Sequence, residues 1–234
     1  MVYNKIIHNK SIENLTLYGK CMICHYIMMQ NEHTRSARIR NAQMTEFLYK
    51  NGGHELNLPP YESLDDEYKK RFLESRGATA QINIMFNSIE MENGTIHNPL
   101  KIIFKIVELD WTLLKNDLKR EFYTSDHLVF VYNSPIKANE MIRGFGMESY
   151  SAEGVEIFFP LTPRLCLLLY DKEKSEYKNC GLERLVNQGE LDWINTQVIA
   201  MAHRTVFTKN NDFQFIRKCI KEYPELKDTN RSRL

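Results

Sequence analysis

The sequence predicts an α+β protein: a helical N-terminal part, a central, mostly antiparallel β-sheet, and C-terminal helices packed on that sheet. Three observations carry this expectation. Apolar residues recur at three-and-four spacing between about residues 11 and 94 and again between 182 and 224, whereas residues 108–172 are dominated by runs of β-branched, aromatic and leucine residues. The links between most of those runs are too short to hold a crossover helix, which favours antiparallel pairing. No Pro-, Gly- or Ser-rich stretch divides the 234 residues, so one domain over 1–234 is expected.

From about Ile12 to Gln30, the residues Tyr18, Cys21, Met22, His25, Met28 and Met29 fall on one helical stripe, which predicts a core-facing helix. A second helix is expected over 35–49, closed by Asn51-Gly52-Gly53, where glycine can adopt the left-handed conformation that ends a helix. A loop with Pro59-Pro60 follows. Residues 65–74 are mostly charged, and helical spacing returns over 78–91 until Asn93-Gly94 stops it. Strands are then expected at 111–114, 122–125, 128–132, 155–159 and 165–170, with a loop near 137–152 that contains Gly144 and Gly146. Beyond Gly181, Leu191, Ile194, Asn195, Val198, Met201 and Ala202 share one helical face. A last helix is expected over 213–222, with a frayed tail after Pro224.

Composition narrows the function classes. Hydrophobic residues make up 43% and charged residues 26%, a globular balance far from that of a disordered chain. With Lys+Arg 31 against Asp+Glu 30, the formal charge is +1, so any polyanion site must be local. Met1 to Lys10 lacks the continuous apolar core of a secretory signal, and no run approaches the roughly 18 apolar residues of a membrane span. A cytoplasmic location and no membrane partner are therefore expected. The five cysteines read as reduced thiols. A Gly-rich phosphate loop, a nucleophile elbow, a paired-histidine zinc helix and a calcium loop are all missing from the sequence. No cofactor is expected.

Several short motifs carry chemistry worth weighing. Cys21-Met22-Ile23-Cys24-His25 has the spacing of covalent haem attachment, but it lies inside a helical stripe of a chain without an export signal, so small thiols and a core histidine are the expectation. Zinc fares no better, because no second Cys or His pair accompanies Cys21 and His25. Arg35, Arg38 and Arg40, preceded by His33, could grip phosphate or carboxylate, or form a solvated helix face. In Phe122-Tyr123-Thr124-Ser125-Asp126, Thr124 and Asp126 point to the same side of a strand end, where aspartate either begins a turn or serves a site. Asn195 interrupts an apolar helix face and needs a hydrogen-bond partner, since a buried orphan amide costs about 1–3 kcal/mol.

Read in order, the whole chain resembles the prokaryotic family known as domain of unknown function 4238. The likeness rests on the helix Leu17 to Arg38 with Gln30 followed by Arg35, on Trp111 before a strand, and on Phe122-Tyr123-Thr124-Ser125-Asp126. It continues through 154–163, which ends in Pro160-Leu161-Thr162-Pro163, into Leu165 to Asp171, and through Asn195 to Arg204. Two departures accompany it: the His-Tyr-Val-Pro-like opening segment typical of the family is not found before Lys20, and Leu128 stands where a proline is expected. The resemblance implies a prokaryotic setting and no established reaction.

Two functional expectations follow. The first is a non-catalytic binding or regulatory module with a protein partner or a local anion or nucleic-acid contact, in a defence or toxin-like system such as phage defence. The second is a hydrolase or nuclease-like enzyme acting on a phosphate-containing substrate. There Asp126 would be the acid or base, Thr124 and Ser125 would donate hydrogen bonds, and Arg35, Gln30, Asn195 and Arg204 would bind the substrate.

Overall fold

A computed structural model describes residues 2–32, 50, 60–67, 69, 99–133, 150 and 153–228. The chain divides into two compact units, residues 1–31 with 99–234, and residues 32–98. In the second unit the described part includes the short 3-10 turn Tyr61–Ser63, closed by the Ser63 hydroxyl donating to the Pro60 carbonyl at 2.7 Å. The expected helices at 35–49 and 78–91 lie outside the described residues, as do His33, Arg35, Arg38 and Arg40 and most of the loop at 137–152.

The first unit is organised by a five-stranded sheet in the order β3-β4-β5-β1-β6. Its strands are β1 (Asp110–Lys115), β3 (Phe130–Asn133), β4 (Val155–Thr162), β5 (Leu165–Tyr170) and β6 (Glu183–Leu185). Pairing is antiparallel except between β1 and β6, which run parallel. Every residue of β5 is buried, as are Trp111 to Leu114 of β1, so these strands are covered on both faces. Covering both faces requires two sets of helices. Along β4 the side chains alternate with period two. Val155, Ile157, Phe159 and Leu161 face one core with Ile6 of α1 (Val2–Asn9), Ile23, Cys24 and Ile27 of α2 (Leu17–Glu32) and Ile106 of α3 (Pro99–Glu108). On the opposite side, Phe158 joins Leu168 and Tyr170 against Leu191, Ile194 and Val198 of α4 (Gln188–Met201) and Phe215, Ile216 and Cys219 of α5 (Gln214–Glu222). The observed architecture is the expected α+β one, with helices on both faces.

Several elements differ from the sequence expectation. The stripe chosen for α2 is not the buried one: Tyr18 is 72% exposed and Met22 45%, and His25 faces outward, whereas Gly19, Ile23, Cys24 and Ile27 are buried. That helix is apolar nearly all round, so spacing alone fits two faces, and only the sheet selects between them. Residues 122–125 do not join the main sheet. Only Thr124–Ser125 is extended (β2), and it pairs with Val206–Phe207 (β7) in a separate two-stranded ladder. Helices α1 and α3 and strands β6 and β7 are additional to the predicted set. Helix α4 starts where Asn187 accepts a hydrogen bond from the Glu190 N–H at 2.9 Å, an N-cap that satisfies one orphan donor of the first turn.

Candidate functional site

Segment 116–127 continues from the end of β1 and is fastened to α4 and to the turn between β4 and β5. Asn195, fully buried on α4, accepts from the Tyr123 N–H at 2.9 Å and donates to the Glu121 carbonyl at 2.8 Å. Its amide therefore joins helix to segment through the two backbone groups it can satisfy at once. Asn116, 1% exposed, donates to the Arg120 carbonyl at 2.9 Å and holds the turn that leads into the segment. The Phe122 N–H donates to the Pro163 carbonyl at 3.0 Å, which brings the Phe-Tyr-Thr-Ser-Asp and Pro-Leu-Thr-Pro segments together.

The expected polar constellation is only partly gathered. Asp126 accepts from the His203 N–H at 2.8 Å on one carboxylate oxygen and from the Arg204 N–H at 2.9 Å on the other. Its own N–H donates to the Thr205 carbonyl at 3.1 Å. The carboxylate thus clamps the turn between α4 and β7, and Arg204 meets it through its backbone while its side chain stands at the exposed surface. Ser125, 1% exposed, donates from Oγ to the His127 carbonyl at 2.8 Å and accepts from the His127 N–H at 3.1 Å, so its hydroxyl closes a local turn. Gln30 is half-buried on α2, apart from these residues in sequence, and Arg35 lies outside the described residues.

Thr124 behaves differently. Its Oγ1 is buried and has no hydrogen-bond partner among the described residues, and the same is true of Thr208 Oγ1. Both threonines line a cleft of about 270 Å³. Its wall is apolar: Phe122, Tyr123 and Leu161 are buried side chains, and Pro160 and Pro163 flank them. Strand β4 is irregular here, its register with β5 shifting between Pro160 and Thr162, which accommodates a proline that has no N–H for the ladder. Lys209, exposed, supplies the one cationic side chain of the lining. Tyr123 donates from its hydroxyl to the Asp212 carbonyl at 3.3 Å, and burial pushes its phenol up to about 12, so it enters the cleft as a neutral ring.

Two buried hydroxyls without partners each cost about 1–3 kcal/mol, and because neither oxygen is accessible in the cleft as it stands, an acceptor relieves that cost only where the lining yields to uncover them. An ammonium at the rim favours a negative charge on that acceptor. Thr208 and Lys209 are absent from the sequence reading. The signal that could have found them is the short β-run Val206-Phe207, the antiparallel partner that a two-residue strand at 124–125 requires.

Other chemistries have less to stand on. Burial pushes the Cys24 thiol up to about 12 and raises those of Cys166 and Cys219, so none of these is a thiolate nucleophile near neutral pH. Among the described residues no group of three or more His, Cys, Asp or Glu side chains could hold a metal ion. No helix among them is long and apolar enough to cross a membrane. A larger cavity of about 600 Å³ lies between α1 and the start of α2, with Lys5 and Glu13 at its lining, but it gathers no buried polar side chain. Among known proteins, the family model described as protein of unknown function (DUF4238) matches residues 1–212. No curated protein and no solved structure matches.

Proposed function

Because the chain belongs to the DUF4238 family, whose description names no reaction, its function must be argued from its own residues, and we propose a binding module that takes a small organic anion in the Thr124 cleft. The observation that carries this reading is the pair of buried, unpartnered hydroxyls of Thr124 and Thr208 beside Lys209 in an apolar cleft. At about 270 Å³ the cleft sits at the small end of ligand sites, which suits a short-chain carboxylate or a small phosphate ester. With the lining eased aside to uncover the two hydroxyls, the anionic head would accept from them and pair with the ammonium, and the tail would pack on Phe122, Leu161 and Pro163. Occupancy, not turnover, is then the output, in keeping with a regulatory component.

The competing reading makes Asp126 the acid or base of a hydrolase or nuclease-like enzyme. Each oxygen of that carboxylate already accepts from one amide, of His203 or of Arg204, which ties it to the turn. Asp126 is better suited to positioning β7, and through it Thr208 and Lys209.

The test is an amide NMR titration of the full chain with butyrate and with inorganic phosphate. Saturable shifts confined to the amides of residues 122–124, 161–162 and 207–209 are expected. Lys209→Gln should weaken binding about tenfold, the worth of one charge-assisted hydrogen bond. Absence of saturable shifts with either anion would overturn the reading.

A further inference from the structure

A second cavity, of about 280 Å³, shares no residue with the Thr124 cleft. It opens where β3, β4, the loop after β5 and α4 meet. Tyr132 on β3 stands directly opposite Glu156 on β4 in the ladder, so ring and carboxylate share a face. Trp193 of α4 meets the Tyr132 ring edge-on, with centroids 4.9 Å apart and planes at 78°. Phe158 meets two of the rings edge-on, with centroids 5.4 Å from Trp193 and 5.8 Å from Tyr177. The two half-buried rings, Tyr132 and Trp193, form adjoining walls of a corner, with Tyr177 as a further wall.

The charges favour one sign of occupant. Arg184 forks onto Glu190 with two bonds of 2.9 Å, a bidentate pair that engages both terminal nitrogens. The other acidic residues of the lining are Glu156 and Glu176. Glu156 is 2% exposed and accepts from Ser175 Oγ at 2.6 Å, and Glu176 is exposed at the rim. The wall already demonstrates its preference, because the Arg184 guanidinium lies 5.3 Å from the Tyr177 ring centroid, within the range of a cation–π contact.

We infer that this cavity recognises a small organic cation, an alkylammonium or guanidinium group held in the corner of Tyr132 and Trp193 with Glu176 as its counter-charge. The aromatic faces supply an attraction that an uncharged group of the same shape does not feel, and the Glu176 carboxylate adds to it from the rim.

The chain has two tryptophans, and Trp111, 3% exposed, belongs to the core on the other sheet face. Emission changes on titration therefore report Trp193. The full chain is titrated at constant ionic strength with tetramethylammonium chloride, methylguanidinium chloride and the uncharged isostere neopentyl alcohol. Both cations should give saturable changes, with the alcohol about tenfold weaker or worse. Glu176→Gln, at an exposed position, should lower cation affinity about threefold and leave the far-UV spectrum unchanged. Tyr132→Leu should lower it about tenfold. A capped Gly-Lys-Gly peptide compared with butylammonium distinguishes a partner's side chain, which would bind tighter, from a free amine, which would bind equally well. Equal binding of the alcohol, a non-saturating response, or indifference to both substitutions would overturn the inference.

Discussion

The Asn195 joint and the Thr124 cleft flank the same segment, residues 121–125, and treat their polar groups in opposite ways. At the joint, a fully buried amide satisfies one backbone donor and one backbone acceptor, and nearby Asp126 spends both carboxylate oxygens on amides of the turn after α4. In the cleft, Thr124 and Thr208 keep buried hydroxyls without a partner among the described residues. A structural polar residue is thereby told apart from one with capacity left for a ligand. Both kinds lie near strand ends, but only the second leaves hydrogen-bonding capacity unspent.

The contrast can be broken by substitution. Asn195→Leu should produce the largest effect, because it orphans the Tyr123 N–H and the Glu121 carbonyl together, each at about 1–3 kcal/mol. A loss of about 3 kcal/mol or more, read as a lower urea midpoint at unchanged slope, is expected. A smaller loss would mean that the joint carries less than its geometry implies. Asp126→Ala should cost about 1–2 kcal/mol by the same measurement, since its amide partners lie nearer to solvent. Thr124→Val should move the other way, leaving stability unchanged or raised by about 1 kcal/mol, because a methyl group replaces an unpartnered hydroxyl. The same change should weaken anion binding, and stability and affinity falling together would erase the distinction between joint and cleft.

A subtler test uses pH at Asp171, another carboxylate saturated by backbone. Burial alone would raise its pKa, but the N–H groups of Gly154, Glu173 and Lys174, at 2.9, 2.8 and 3.1 Å, hold it below the usual carboxylate range. A depressed folded-state pKa contributes stability that is fully present above the unfolded value, near 4, and is lost as pH falls through the folded one. Acid unfolding curves should therefore show Asp171→Asn converging on the parent protein below about pH 4 and falling short of it at neutral pH. Parallel curves across that range would exclude the contribution.

How much was legible beforehand follows from which interactions are local. The runs 111–114, 155–159 and 165–170 announce central strands because a strand buried on both faces must be apolar at nearly every position, and they form β1, β4 and β5. The face of α4 was readable because its buried residues Leu191, Ile194 and Val198 recur at helical spacing, and Asn195 stood out as an amide among them. On α2, by contrast, two apolar faces compete, and only the packing of Ile157 and Phe159 against Ile23 and Ile27 separates them.

By itself, then, the sequence determined the α+β class, the central strands, the two C-terminal helices and the need of Asn195 for a partner, since periodicity and burial are properties of neighbouring residues. The tertiary structure decided which polar groups are spent and which are left over. Asn195 is satisfied by residues more than 70 positions away, Asp126 by a turn 77 and 78 positions on, and the cleft of Thr124 is walled by residues 160–163 and 207–209. Hydrogen-bond satisfaction depends on groups that meet only after the chain has folded, and no spacing along the chain encodes that meeting.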